Sequence, residues 1–127
     1  MRKLKMMYHI RTSKKEVWQA LVNPAIIEAW GDGQVVMNDQ VGIKFKLWGG
    51  DIFGKNLEVI TETKLVQEWF GGKWKEASIV TFNLTEDNGL TTVELIHKNI
   101  PDNEFEDIKK GWDEYYIGPL KEYLEKK

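Results

Sequence analysis

His9 and His97 are the only imidazoles in this chain of 127 residues, and cysteine is absent. That inventory narrows the available chemistry at once. Disulfides and thiolate nucleophiles are out. Two histidines on opposite strand faces cannot supply the ligands of a zinc site, so no metal is expected. His9 falls on the face of Lys5 and Arg11 and should point to solvent. His97 falls with Val93 and Leu95, opposite Glu94 and Lys98, and should point inward near the rim of a sheet. Its plain role is a buried ring bonded to backbone or water; its sharper role is a polar contact to a bound ligand. A general base is the weakest option: an ordinary pKa near ~6.5 permits it, but no carboxylate or nucleophile lies close in sequence. Ser13 reads as a helix cap, and Ser78 opens a strand with no histidine partner implied by spacing. The pairs Gly49-Gly50 and Gly71-Gly72 separate strand-like segments and read as turns, not phosphate cradles. No cofactor is expected.

The six tryptophans divide by position. Trp18 and Trp30 sit on short helical segments and read as packing. Trp69, near a strand end, and Trp112, on a helix face, are better placed for a pocket. Trp48 and Trp74 flank turns, where an exposed ring would mark a binding rim or a partner surface. Even so, an aromatic stripe is more often core than site.

The elements that must position these residues follow from periodicity. Leu4, Met6, Tyr8 and Ile10 alternate with polar partners as a half-buried strand. Ser13 with Glu16 three residues on starts a helix carrying Val17, Trp18 and Leu21. Asn23-Pro24 restarts the chain as cap and first helical residue, and this second helix runs to Gly31. Strands are then expected at Gln34–Met37, Ile43–Leu47, Ile52–Thr61, Leu65–Phe70, Ser78–Leu84 and Thr91–Asn99. Gly49-Gly50 and Asn88-Gly89 serve as two-residue hairpins, and Gly54 as a bulge or close approach. Short connections make the sheet an antiparallel meander. The segment from Phe105 to Lys127, capped by Asn103 with Glu106, reads as one helix of about 34 Å. Its stripe of Ile108, Trp112, Tyr115, Tyr116, Leu120, Tyr123 and Leu124 must pack on the sheet. Gly118-Pro119 violates the helix locally, freeing the Tyr115 carbonyl, and reads first as a kink and second as a device shaping a cavity entrance.

Charged residues are 30% and apolar residues 42%, with a net charge of −2 and no cationic run beyond pairs. Nucleic-acid binding therefore has no electrostatic footprint. No apolar run spans a bilayer and the N-terminus lacks a signal core, so a cytoplasmic location is expected. One domain over residues 1–127 is expected from length.

Val17-Trp18-Gln19-Ala20-Leu21, Ile27-Glu28-Ala29-Trp30, Glu68-Trp69, Leu95-Ile96-His97 before Pro101, and Gly111-Trp112 before Tyr115-Tyr116 and Pro119-Leu120 carry a resemblance. In this order and spacing they resemble the C-terminal-domain family of the activator of heat-shock-protein-90 ATPase, within the START-like (SRPBCC, birch-pollen-allergen-like) superfamily. The resemblance implies an α+β helix-grip fold: a curved antiparallel sheet around a long C-terminal helix, with two short helices after the first strand and a cavity between sheet and helix. It leaves function open, because the superfamily holds lipid carriers, receptors, cyclases and cochaperones. The eukaryotic cochaperone carries an N-terminal chaperone-contacting domain outside this resemblance, so stimulation of a chaperone by these residues alone is expected to be absent or feeble.

The first functional expectation is a non-enzymatic domain that holds a small apolar ligand between sheet and helix. Its lining would be Tyr8, Phe45, Trp69, Phe82, Leu95, His97, Trp112 and Tyr116. The alternative is a cochaperone-like module acting on heat-shock protein 90 with its cavity closed by side chains. A cyclase- or hydrolase-type enzyme comes last, for want of an acid–base pair. An open interior would favour the first expectation and a filled one the second.

Overall fold

The computed structural model describes residues 1–31, 33–71, 74 and 76–126. Its strands are β1 (Arg2–Ile10), β2 (Lys44–Leu47), β3 (Ile52–Ile60), β4 (Lys64–Gly71), β5 (Ser78–Asp87) and β6 (Leu90–Ile100). They form one curved antiparallel sheet in the order β1-β6-β5-β4-β3-β2, a meander from β2 to β6 closed by β1 against β6. Two short helices, α1 (Lys14–Val22) and α2 (Pro24–Trp30), follow β1. The Ser13 hydroxyl accepts from the Glu16 amide at 3.2 Å, and Asn23 Oδ1 from the Ala25 amide at 3.0 Å. Each satisfies an orphan donor of the helix start that the sequence marks.

Two local devices set the sheet. Asn88 and Gly89 both have positive φ, 52° and 79°, the turn whose twist matches a two-residue hairpin, and Asp87 pairs with Leu90 across it. Gly54 is a close approach: a Cβ there would sit 1.7 Å from the Glu68 carbonyl oxygen of β4. The bulge itself falls two residues later, between Asn56 and Glu58.

Several expectations need correction. Gln34–Met37 is not a sheet strand; it makes one isolated bridge, Val36 to Lys46. The Glu28 carboxylate accepts from the Val35 amide at 2.9 Å, which draws the segment toward α2 and buries Val35 and Met37. Gly49-Gly50 is not a two-residue hairpin, because Leu47 pairs with Ile52 and leaves a four-residue connection with a 3-10 turn over Trp48–Gly50. Gly72, half of the second glycine pair, lies outside the described residues, as does Lys127.

The C-terminal helix departs most. Asn103 does not cap it: Asp102–Glu104 forms a 3-10 turn, and α3 (Phe105–Gly111) starts without a side-chain cap. A π turn over Trp112–Tyr116 then separates α3 from α4 (Ile117–Glu125). The extra residue in that turn rotates everything after it. Tyr115 swings out to 68% exposure and Ile117 swings into the core at 1%. Gly118 belongs to the same device, since a Cβ there would lie 2.0 Å from the Asp113 carbonyl oxygen. Pro119 thus follows a stretch already off the α ladder, where its missing N–H does least harm.

Candidate functional site

Where the helix crosses the sheet, rings interlock. Trp112 lies 5.0 Å from Trp69 and 4.7 Å from Tyr116 between ring centres, and Phe82 lies 5.8 Å from both Trp112 and Tyr116. Trp30 and Trp48 close on Tyr116 from α2 and the β2–β3 connection, at 5.0 and 5.8 Å. Such tilted, edge-on and stacked pairs add to the burial of area itself.

His97 sits at the edge of this cluster, fully buried, between Ser78 and Trp112. Its Nδ1 accepts the Trp112 indole N–H at 3.1 Å, and its Nε2 lies 2.8 Å from the Ser78 hydroxyl. An indole nitrogen can only donate. Nδ1 is therefore the bare nitrogen, Nε2 carries the proton, and Nε2 donates to Ser78. The Ser78 hydroxyl is left to donate to the Trp69 carbonyl at 3.4 Å. Burial lowers the His97 pKa from 6.5 to about 4, so the ring is neutral at ordinary pH. A base that already donates to its serine cannot take that serine's proton. The two residues form a structural relay and not a nucleophile pair in this tautomer.

Ser78 is a correction to the sequence reading, which gave it no histidine partner. The signal was available. Counting outward from Asn88-Gly89 places Val80 opposite His97 and Ser78 on the next inward position of the same face.

A partly open cleft of about 190 Å³ adjoins the cluster, lined almost wholly by apolar atoms of Trp48, Ile52, Trp69, Trp74, His97, Ile108, Gly111, Trp112, Tyr115 and Tyr116. The Trp74 indole donates to the Glu104 carboxylate, which fixes one side of the mouth. Trp48 forms another side with its backbone at φ 55°, a left-handed conformation that is strained for a bulky residue. The Tyr116 hydroxyl is fully buried without a hydrogen-bond partner among the described residues, and burial raises its pKa. Among the described residues no cluster of histidine, aspartate and glutamate could hold a metal ion.

A model of the family described as Activator of Hsp90 ATPase homolog 1-like protein matches residues 11–125. The chain belongs to that family. An activator of 90 kDa heat shock protein ATPase homolog from Dictyostelium discoideum is 30% identical over 121 residues, covering 93% of this chain and 32% of that protein. The human homolog 1 is 26% identical over 113 residues, covering 87% and 33%. The chain thus spans about a third of the length of these relatives. Among solved structures, an HSP90 activator from Plasmodium falciparum superposes with a TM-score of 0.91 at 21% identity, covering 98% of this chain and 96% of that one. A putative protein from the dynemicin biosynthetic locus superposes at 0.81 with 23% identity, covering 97% and 47%. At such identities the two structures speak to the fold alone, and they agree with the helix-grip architecture.

Within this Activator of Hsp90 ATPase homolog 1-like fold the expected lining residues separate. Trp69, His97, Trp112 and Tyr116 stand together on the cleft. Phe45, Phe82 and Leu95 do not reach it; each is wholly buried among core side chains. Tyr8 does not reach it either. Half-buried on β1, it donates its hydroxyl to Asp113 Oδ1 at 2.6 Å, tying that strand to the π turn. Burial, then the Asp113 hydrogen bond and charge, raise its pKa. The cleft adds Ile52, Ile108, Gly111 and Tyr115, outside the expected lining, together with Trp48 and Trp74, which the sequence offered only as rim residues. Ile108 was legible as part of the helix stripe, and Gly111 one residue before Trp112 marks where the helix surface is hollowed.

Among the described residues no helix is long and apolar enough to cross a membrane. A further miss is a buried polar ladder: Gln67 Nε2 donates to Asn56 Oδ1 at 3.0 Å, and the Trp69 indole to Gln67 Oε1 at 2.8 Å. Asn56 in turn donates to the Asn38 and Gln40 carbonyls at 2.9 and 3.0 Å. It orients Trp69 from behind.

Proposed function

We propose that this chain is a protein-interaction domain of the cochaperone kind, engaging a heat-shock protein of the 90 kDa class. One observation carries the reading: the space between sheet and helix is filled by side chains. Phe45, Phe82, Leu95, Trp112, Tyr116 and Leu120 are all buried there. The cleft that remains, about 190 Å³, has room for a single compact group but falls below the ~300 Å³ at which pockets for drug-sized ligands usually begin. The relatives' names point the same way, although this chain matches only a third of their length. In this tautomer His97 is no base toward Ser78, which weighs against the enzyme reading.

The test is association. The purified chain is titrated into the 90 kDa heat-shock protein of its own source, and binding is followed by calorimetry while ATP turnover is timed in parallel. Saturable binding is expected, with turnover changed little. No heat and no co-sedimentation at about 100 μM, the weak end of transient interactions, would remove the reading.

A second reading, a small apolar ligand, keeps one observation in its favour. The Tyr116 hydroxyl, without a partner among the described residues, belongs to a cleft-lining residue and is the kind of buried group that a ligand or a water satisfies. Native mass spectrometry of protein purified from its own source decides it; a bare mass alone would end it.

A further inference from the structure

Trp48 and Tyr115 form a wall that the cleft shares with a second groove of about 390 Å³, whose other sides include Trp30, Asp51, Glu114 and Pro119. The two compartments differ in chemistry. Among the described residues the cleft is apolar almost throughout, whereas the groove carries two carboxylates and no cationic residue. Asp51 takes part in none of the ion pairs found among the described residues. Glu114 meets Lys110 at 3.7 Å along the helix, with the lysine side chain 72% and the glutamate side chain 45% exposed, a surface pairing of little strength. Of the rings between the compartments Tyr115 is 68% exposed because of the π turn, and Trp48, half-buried against the core, is held at the boundary in its left-handed conformation. Strain of that sort persists where the surroundings over-determine it, and it gathers at working sites.

We propose that cleft and groove together form one binding site for a small organic cation, a compact apolar body joined to an ammonium group. The apolar body enters the cleft, and a volume of roughly 150 Å³ suffices for a single benzene ring. The ammonium lies in the groove beside Asp51 and Glu114, against the faces of Trp48 and Tyr115. Aromatic faces attract cations, and the carboxylates add charge of the matching sign. An anion of the same shape meets the same rings and two repelling charges. Sign of charge, more than shape, therefore governs this site. The inference stands apart from the chaperone reading, since a chain that binds no chaperone can still bind the amine.

The probe is 2-phenylethylamine, with phenylacetate as the anionic and 2-phenylethanol as the neutral control. Binding is followed by two-dimensional NMR through the Trp48 indole signal, assigned by its loss in Trp48→Phe. The amine should bind at least about tenfold more tightly than phenylacetate, the size of discrimination that a cation–π contact with carboxylates supplies. Asp51→Asn with Glu114→Gln should bring amine and alcohol to within about twofold while leaving the alcohol unchanged, and each single change should give part of the loss. Both positions are exposed, so the fold survives the change. The proposal is overturned if phenylacetate binds as tightly as the amine, if the double variant keeps the full preference, or if the Trp48 signal does not move at millimolar amine.

Discussion

Lowering the pH from 7 to 5 sets the protein against its own relay. His97 has a pKa near 6.5 in the unfolded chain and about 4 in the folded one, the shift coming from burial. The Trp112 N–H aimed at Nδ1 acts in the same direction, because a proton placed there would face another donor. Between these two values the unfolded chain binds a proton that the folded chain refuses. Stability must then rise with pH through this window and fall as pH drops through it. The stabilisation is complete above about 6.5 and is lost progressively toward 4. Each pH unit inside the window is worth roughly 1.4 kcal/mol, so the loss from pH 7 to pH 5 comes to about 2 kcal/mol.

Urea melts at pH 7, 6 and 5 measure this, with His97→Phe as the reference that keeps a ring and removes the titration. The variant starts lower, since it strands the Trp112 indole N–H at about 1–3 kcal/mol for an unsatisfied buried group, while the Ser78 hydroxyl keeps the Trp69 carbonyl as its acceptor. Its own dependence on pH should be nearly flat over the same interval. Wild type and variant therefore converge by about 2 kcal/mol on acidification. His9 does not confuse the comparison, because it is exposed and present in both proteins. Parallel curves for the two proteins would refute the reasoning: His97 would then titrate normally in the folded state, and the assigned tautomer would be wrong.

Other outcomes follow from the same packing. Trp112→Ala should lower stability by about 3–5 kcal/mol in denaturant melts, because the ring meets Trp69, Phe82, His97 and Tyr116 together. Gly118→Ala should destabilise severely or force the π turn to relax, since its methyl would collide with the Asp113 carbonyl oxygen; a neutral melt would mean the π turn is not held there. Tyr116→Phe should leave stability unchanged or raise it by up to about 1 kcal/mol, because the buried hydroxyl it removes has no partner among the described residues. A clear loss in that variant would instead reveal a bound water or ligand on the hydroxyl.

How much of this was legible in the sequence depended on whether a residue's environment was local. Ser13, Asn23 and Asn88-Gly89 act on backbone groups within three residues, so their types and spacing sufficed. The strand faces were legible because alternation has one solution once one side is buried. Gln34–Met37 misled because the Glu28 carboxylate, seven residues away, competes for the Val35 amide, and no periodicity records such competition. The cleft was half legible for a similar reason. Trp69, His97, Trp112 and Tyr116 stand on the cleft because each faces inward on a regular element. Phe45, Phe82 and Leu95 face inward too, and nothing in a strand's alternation tells depth in the core from the rim of a cavity.

The π turn ties these misses together. The sequence flagged Gly118-Pro119 as a fault in a helix, and a fault admits two repairs: a kink, or a shift of the hydrogen-bond register. A kink would have kept Tyr115 in the buried stripe. The register shift inserts one residue, turns Tyr115 outward, and brings Ile117 into the space the stripe vacates. It also leaves the Asp113 carbonyl oxygen against Gly118, where only a residue without a side chain fits, and aims the Asp113 carboxylate at the Tyr8 hydroxyl. One inserted residue thus fixes the helix to β1, completes the cluster around Tyr116, and puts an exposed ring beside Trp48 at the mouth of the cleft. Glycine followed by proline is the combination that tolerates this: glycine because backbone approaches it, proline because it needs no partner for an N–H. What looked like a defect in the helix is the feature that gives the cleft its outer wall.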